Sequence, residues 1–169
     1  MKTQYPPYTY VPGFWPHPRR DPLGHAFGRN ETHVQSIGFS LATCLQCRVF
    51  NRGAQLFNAG FYWEAHEAWE NIWGDTARDS PEEHLLKALI KYAASAIKLR
   101  QGYPEIAKGL LLKSLKHLQC IVDISRIKKS GELKVENLMQ EIREQLPKLS
   151  TMETDAARPV EILWGTLTL

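Results

Sequence analysis

The sequence predicts an all-α fold, a compact bundle of about five helices built from antiparallel helical hairpins, with an extended N-terminal arm. Residues 80–83, Ser-Pro-Glu-Glu, form a capping box with proline at the first helical position, and a long amphipathic run follows them. Gly102 ends that run and Pro104 begins the next, a turn so short that the two helices must be antiparallel. Residues 1–30 hold six of the ten prolines, which excludes a helix there and favours an extended path.

The remaining helices follow from apolar residues that recur at helical spacing. Gly53 weakens the first helix, Gly74 ends the second, and Pro147 ends the fifth. The predicted helices cover residues 43–58, 61–73, 81–101, 104–128 and 135–146.

The chain divides into an N-terminal arm of residues 1–34, a helical domain of residues 43–150 and a C-terminal tail of residues 151–169. A disordered arm would be poor in aromatic residues, so we expect this one to be ordered and packed on the helical domain. The tail shows only a weak pattern, which is consistent with docking or with fraying. The arm aromatics expected to contact the helical body are Tyr8, Tyr10, Phe14 and Trp15.

Composition and charge argue against several classes of partner. The 21 Lys and Arg against 18 Asp and Glu leave a net charge of +3, too slight to indicate nucleic-acid binding. No apolar run approaches the ~20 residues of a membrane span, and the N-terminus lacks the pattern of a secretory signal. We therefore expect a cytoplasmic protein without a membrane partner. Cys44 and Cys47 form a lone C-x-x-C and are predicted to be reduced, semi-buried side chains.

The second predicted helix combines an aromatic surface with acids and an imidazole. A helix that carries three tryptophans cannot expose all its sides, so its acids should be partly buried and should need a partner. His66 and Glu70 stand at i, i+4, and Glu67 and Glu70 at i, i+3, so one divalent metal ion could bridge them. With Glu67 as general base beside a metal-activated water, the site would be that of a hydrolase. The predicted catalytic and metal-binding residues are therefore His66, Glu67 and Glu70.

The arm supplies further candidate ligands in residues 16–25. Prolines bracket this run and stiffen its backbone, which positions polar side chains at low entropic cost. If the arm crosses the second helix, its histidines could complete a site with His66. Alternatively, Arg20 and Asp21 only hold the arm in place by hydrogen bonds. The predicted ligand-binding residues are His17, Arg20, Asp21, His25 and Glu64.

A second interpretation needs no ligand. Lysines of the third and fourth helices could neutralise the acids as structural ion pairs, while His66 donates to a carboxylate. Gly60 and Gly102 each begin a similar helix–helix turn, as in tetratricopeptide-type hairpins, which would make the chain a non-catalytic interaction module. Both interpretations stay open at this stage. The lysines concerned are Lys87, Lys91, Lys98 and Lys113.

The run LFNAGFYWEAHEAWE, from Leu56 to Glu70, resembles the signature of domain-of-unknown-function family 309. The later stretch LLKALIKYAASAIKLRQG is similar as well, and residues 16–25 resemble an extension found in part of that family. The resemblance implies a compact all-α fold and a metal-dependent hydrolase, with a divalent metal ion as cofactor.

This chain departs from the family pattern beside the acidic patch. Many relatives carry Gln at the places of Lys87 and Lys91, and His near Lys98. Ammonium groups beside the acids would repel a divalent cation, so the site could suit a small anionic ligand or a peptide instead.

Overall fold

The computed structural model describes residues 5–29, 39–128 and 135–167. Within these ranges the chain forms α-helices and no strand, which confirms the predicted all-α fold. None of the described helices combines the length and the apolar character that crossing a membrane would require. The helices are α1 (Arg48–Asn58), α2 (Tyr62–Trp73), α3 (Pro81–Arg100), α4 (Pro104–Lys128) and α5 (Val135–Gln145).

The first helix begins later than predicted. A short 3-10 helix occupies Cys44–Gln46, and α1 starts only at Arg48. Cys47 lies between them with an extended backbone at ψ 114°, which breaks the helical hydrogen-bond ladder. The other four helices agree with the predicted bounds within one residue. The cysteines at 44, 47 and 120 are all free, as expected.

The hairpin of α3 and α4 forms the centre of the bundle. The hydroxyl of Ser80 accepts a hydrogen bond from the backbone amide of Glu83 at 3.1 Å and so caps α3. Gly102 makes the turn to α4 with φ +80°, a conformation that favours glycine. The hydroxyl of Ser114 in α4 donates to the carbonyl of Ala88 in α3 at 2.8 Å. His117, further along α4, contacts His84, which lies earlier in α3. The two helices are therefore antiparallel.

α1 packs closely on α2 because Gly53 leaves room for a tryptophan. The Trp69 side chain is fully buried, and its indole N–H donates to the carbonyl of Phe50 at 3.3 Å. A Cβ atom at Gly53 would lie 2.4 Å from the indole nitrogen of Trp69. The glycine that weakens the helix in the sequence therefore permits the contact between α1 and α2.

Gly53→Ala should lower the free energy of unfolding by about 1–3 kcal/mol, because the buried Trp69 indole cannot turn away from the added methyl group. Gly109→Ala is the matched control, since a Cβ there meets nothing within 4 Å. That helix position should gain about 0.5–1 kcal/mol. Urea unfolding measures both, and equal stabilities for the two variants would contradict the packing.

The arm packs on α2 and on the C-terminal segment. Tyr8 and Val11 are buried, and the indole N–H of Trp15 donates to the carbonyl of Ala156 at 2.9 Å. Phe14 is 56% exposed and is thus less buried than the other three aromatic side chains of the arm that were expected to contact the helical body. The amides of Phe14 and Trp15 both donate to the carbonyl of Val11, at 3.1 and 3.2 Å. This tight turn directs one aromatic ring inward and the other outward.

The C-terminal segment also docks on the helices. The hydroxyl of Tyr62 accepts hydrogen bonds from the backbone amides of Leu163 and Trp164, at 2.8 and 3.1 Å. Asn58 and Leu167 exchange two hydrogen bonds, of 3.3 and 2.7 Å. Arg100 is only 2% exposed, and its guanidinium donates to backbone carbonyls of this segment. These contacts hold the segment against α1, α2 and α3.

Candidate functional site

α2 presents a cluster of three potential metal ligands. One ligand atom from each of His66, Glu67 and Glu70 can be chosen so that all lie within 4.8 Å of one another. Among the residues that the structure describes, this is the one group of three or more acidic, histidine or cysteine side chains with such spacing. The structure thus brings together the three residues that the sequence analysis predicted as catalytic and metal-binding.

The Nδ1 atom of His66 is buried and has no hydrogen-bond partner among the described residues. It lies 3.6 Å from a Glu70 carboxylate oxygen and 4.0 Å from a Glu67 oxygen. Burial lowers the pKa of His66; the charge of Glu70 opposes this shift and Lys91 adds to it. The neutral imidazole is therefore favoured, which is the form that binds metal ions.

Glu67 is the member of the cluster that also contacts the arm. Burial raises the pKa of Glu67, Arg19 opposes the shift, and the neighbouring Glu70 charge adds to it. A guanidinium nitrogen of Arg19 lies 3.7 Å from the second carboxylate oxygen of Glu67. The pKa of this carboxylate is thus raised, which favours a role as general base.

A pocket of about 290 Å³ opens beside the cluster, between α2, α3 and the start of α4. Lys87 and Lys91 give it a basic wall opposite the cluster. Burial lowers the pKa of Lys91, and the nearby Lys113 and Lys87 charges lower it further. The pocket is lined by His66, Glu70, Trp73, Lys87, Ile90, Lys91, Ala94 and Leu110.

The lysines do not form the expected ion pairs with the α2 acids. In the described part of the chain, no lysine ammonium lies within 4.0 Å of Glu64, Glu67 or Glu70. Lys87 instead pairs with Glu83 at 2.8 Å. That hydrogen bond is the largest cause that lowers the pKa of Glu83 to about 2; burial opposes it, and hydrogen bonds from Asp79 and Trp73 add to it. Lys98 donates to the side chain of Gln101 at 2.8 Å.

Glu64 faces the arm rather than the cluster. One of its carboxylate oxygens accepts from the hydroxyl of Thr9 at 2.7 Å, and the other accepts from the amide of Tyr10 at 3.3 Å. The Nε2 atom of His25 lies 3.5 Å from the second oxygen. Two predicted ligand-binding residues, Glu64 and His25, are therefore neighbours, at a site apart from His66.

The other predicted arm residues do not reach the cluster directly. The Nδ1 atom of His17 accepts from the amides of Arg19 and Arg20 at 3.2 and 3.3 Å, and its ring contacts Trp63. Burial lowers the pKa of His17, and the charges of Arg20 and Arg19 lower it further. Asp21 accepts from a backbone amide two residues later at 2.9 Å. Arg20 is exposed, and Arg19 is the arm residue that pairs with Glu67.

The sequence did not predict a pair of histidines that the structure brings together between α3 and α4. The Nδ1 atoms of His84 and His117 lie 3.0 Å apart, so one donates a hydrogen bond to the other. Burial lowers the pKa of His117 to about 4, and Lys91 is the largest of the nearby charges that add to the shift. The two residues are 33 positions apart. The capping box and the turn at Gly102, which fix the register of the hairpin, were the signals that could have paired them.

The histidine pair should make stability pH-dependent. His117 binds its proton near pH 6.5 when unfolded but only near pH 4 when folded, so the unfolded state holds more protons between these values. The contribution of His117 to the free energy of unfolding is therefore fully present above about pH 6.5, and it is lost as the pH falls toward 4. We expect this residue to contribute about 1–2 kcal/mol to the loss, allowing for screening at a half-buried site.

Urea unfolding at neutral pH and near pH 5, for wild type and for His117→Gln, measures this contribution. The variant should lose less stability on acidification than the wild type. The lowered pKa of His66 acts in the same direction in both proteins and cancels in the comparison. Equal losses in the two proteins would refute the role of His117.

Comparison with known proteins gives one match, to a family whose function is not known. Residues 50–110 match the model of a family described as domain of unknown function (DUF309), which confirms the resemblance inferred from the sequence. No curated protein and no solved structure matches the chain. The matched segment contains the whole His66 cluster and all residues that line the pocket beside it, whereas the arm and the C-terminal segment lie outside it.

Proposed function

We propose that His66, Glu67 and Glu70 bind a divalent metal ion and that the chain is a metal-dependent hydrolase acting on a small anionic substrate. The observation that carries this proposal is the buried Nδ1 atom of His66, which has no hydrogen-bond partner in the described part of the chain and lies 3.6 and 4.0 Å from two carboxylates. A buried polar atom without a partner is costly unless a ligand supplies the missing interaction. The hydrolase activity itself is taken only from what the sequence resemblance to family 309 implies.

The donor set fits such an ion. One imidazole nitrogen and two carboxylates are ligands that Zn²⁺, Mn²⁺ and Fe²⁺ accept. The side chains of Glu67 and Glu70 are 27% and 42% exposed, so both carboxylates have room to turn toward His66. The lowered pKa of His66 keeps its nitrogen available to a metal at neutral pH.

The residues around the cluster supply the rest of the chemistry. A bound divalent ion would act as a Lewis acid and lower the pKa of a water molecule. Glu67 would accept a proton from an attacking water and pass it to the leaving group. Arg19 holds the outer oxygen of Glu67 and orients the carboxylate.

The basic wall of the pocket sets the class of substrate. Lys91 is half-buried and forms no ion pair within the described ranges, so its charge is available to a ligand. A carboxylate or phosphate group on the substrate would neutralise Lys91 and also offset the repulsion between this lysine and a metal ion. The lysines beside the cluster therefore favour an anionic substrate without excluding a metal.

Metal analysis of protein purified without an affinity tag tests the proposal. We expect close to one equivalent of a divalent metal ion per chain, or saturable binding when metal-free protein is titrated with Zn²⁺ or Mn²⁺ in a calorimeter. Absence of any metal on the purified protein, together with absence of binding in the titration, would refute it.

One observation favours the alternative of a non-catalytic helical interaction module. Tyr103 and Ile106 are 50% and 51% exposed beside Gly102, at the turn between α3 and α4. Contiguous exposed apolar surface is typical of protein contact sites. This alternative predicts that the protein performs its role with no metal bound and is indifferent to substitution of His66.

A further inference from the structure

The register of the α3–α4 hairpin brings lysines of both helices together at the pocket of about 290 Å³. The hydroxyl of Ser114 in α4 donates to the carbonyl of Ala88 in α3. This register places Lys113 level with the turn of α3 that runs from Lys87 to Lys91, and both of these α3 lysines line the pocket. Burial lowers the pKa of Lys91, and the charges of Lys113 and Lys87 lower it further, so the three ammonium groups are close enough to repel one another.

Two of these three lysines have no acidic partner. Lys87 pairs with Glu83 at 2.8 Å. Within the described ranges, neither Lys91 nor Lys113 forms an ion pair or a hydrogen bond. The acid that lines the pocket is Glu70, which lies 3.6 Å from the imidazole of the metal cluster and has no described lysine ammonium within 4.0 Å. An anion between the two unpaired ammonium groups would relieve their repulsion.

The number of unpaired charges distinguishes between the two anionic groups that the basic wall favours. A carboxylate carries one negative charge, whereas a phosphate monoester carries about 1.5–2 near neutral pH and offers three acceptor oxygens. Ammonium groups on neighbouring helices can each donate to a different oxygen of one phosphate. A carboxylate would leave the repulsion between Lys91 and Lys113 only half neutralised, so the pair favours phosphate.

The pocket also has an apolar side for the rest of such a molecule. Trp73 comes from α2, Ile90 and Ala94 from α3, and Leu110 from α4. The Trp73 ring is held in place by the ammonium of Lys87, which lies 5.7 Å from the ring centre. A volume of about 290 Å³ is at the lower end of the range for small-molecule sites. The pocket therefore suits a phosphate that carries a small organic group.

We infer that this pocket binds a small phosphate monoester, with its phosphate between Lys91 and Lys113 and its organic group against Trp73 and Leu110. The inference rests on the proposed function, because it names the class of substrate that the same site accepts. It adds Lys113 of α4 to the residues that determine specificity, although this lysine does not line the pocket itself.

Titration of the metal-free full chain with inorganic phosphate and with acetate, at constant ionic strength near neutral pH, tests the inference. We expect saturable phosphate binding below about 10 mM, with an affinity at least about tenfold higher than that for acetate. Absence of saturable phosphate binding at this concentration, or an affinity for acetate as high as that for phosphate, would overturn the inference.

The ring signals of His117 in NMR spectra report where the phosphate binds. Burial lowers the pKa of His117 to about 4, and Lys91 is the largest of the charges that add to this shift; His84 and Lys87 contribute less, and Glu83 opposes them. Phosphate bound at Lys91 should therefore raise the pKa of His117 above its value in the free protein. Saturable phosphate binding that leaves the pKa of His117 unchanged would place the anion elsewhere and overturn the inference.

Charge-removing variants show whether the two lysines hold the phosphate. Lys91→Gln should weaken phosphate binding by at least about tenfold, because a charge-assisted hydrogen bond is lost. Lys113→Gln should weaken it by at least about threefold. Lys108→Gln is the matched control, since Lys108 is exposed on α4 and does not line the pocket. Lys113 is also exposed, so its variant should fold even if Lys91→Gln does not, and equal affinities in Lys113→Gln and Lys108→Gln would overturn the inference.

Metal and phosphate binding are measured separately, so the two proposals can fail separately. Divalent-metal binding without phosphate binding would refute the phosphate class and leave the metal site standing. Phosphate binding without divalent-metal binding would support the phosphate site and refute the metal-dependent hydrolase.

Discussion

Removal of residues 1–25 is expected to lower the free energy of unfolding by at least about 3 kcal/mol. The arm buries Tyr8 and Val11, and each large apolar side chain removed from water contributes about 1.5–3 kcal/mol. It also supplies hydrogen bonds to Glu64 on α2 and to the carbonyl of Pro159, worth about 0.5–1.5 kcal/mol each. The ordering entropy of the arm reduces the sum but does not cancel it.

Two adjacent aromatic residues provide a matched comparison for the arm. Trp15→Ala should cost about 1–3 kcal/mol, because the Trp15 ring stacks on Tyr8 and its N–H binds the carbonyl of Ala156. Phe14→Ala should change stability by less than about 0.5 kcal/mol, since Phe14 is 56% exposed. Urea unfolding measures the stability of the truncated chain and of the Trp15→Ala and Phe14→Ala variants against the wild type. A truncated chain as stable as the wild type would mean that the arm contributes nothing to folding.

The helices were predictable because their ends carry local chemical signals. The cap at Ser80 and the turn at Gly102 depend on a few neighbouring residues, and both occur where the sequence indicates. The start of α1 was less predictable, because nothing in the sequence reveals that Cys47 takes an extended conformation. Local patterns therefore fixed the bundle and most of its boundaries.

Contacts between distant segments could not be predicted in the same way. The sequence pointed to Arg20, but the turn in which His17 accepts two backbone amides places Arg19 beside Glu67 instead. Likewise, the pairing of His84 with His117 depends on the register of two long helices. A shift of one residue rotates a helical position by 100° and changes its partner. The members of the α2 cluster were found because they lie on one helix, whose geometry is known in advance.

His66→Gln and Glu67→Gln should each weaken divalent-metal binding by more than about 100-fold. Removing a residue that only hydrogen-bonds a metal ligand costs about 10–100-fold, and the loss of a ligand itself should cost more. Both substitutions preserve size and hydrogen-bonding capacity but remove a ligand atom or its charge. Neither should destabilise the fold greatly. Glu67 is 27% exposed, and its pair with Arg19 at 3.7 Å is worth less than about 1 kcal/mol.

Stability and affinity together separate a metal site from a structural network. Glu105→Gln is the control, because Glu105 is an exposed acid at the start of α4 and the same chemical change there should leave metal affinity within about twofold. If Glu67 instead served to neutralise a buried cation, Glu67→Gln would lower stability by about 3–5 kcal/mol and leave no metal binding to lose. Calorimetric titration with Zn²⁺ and urea unfolding of the same samples distinguish these results. Because Arg19 is the cation that pairs with Glu67 and is itself partly exposed, we expect the loss to appear in affinity and not in stability.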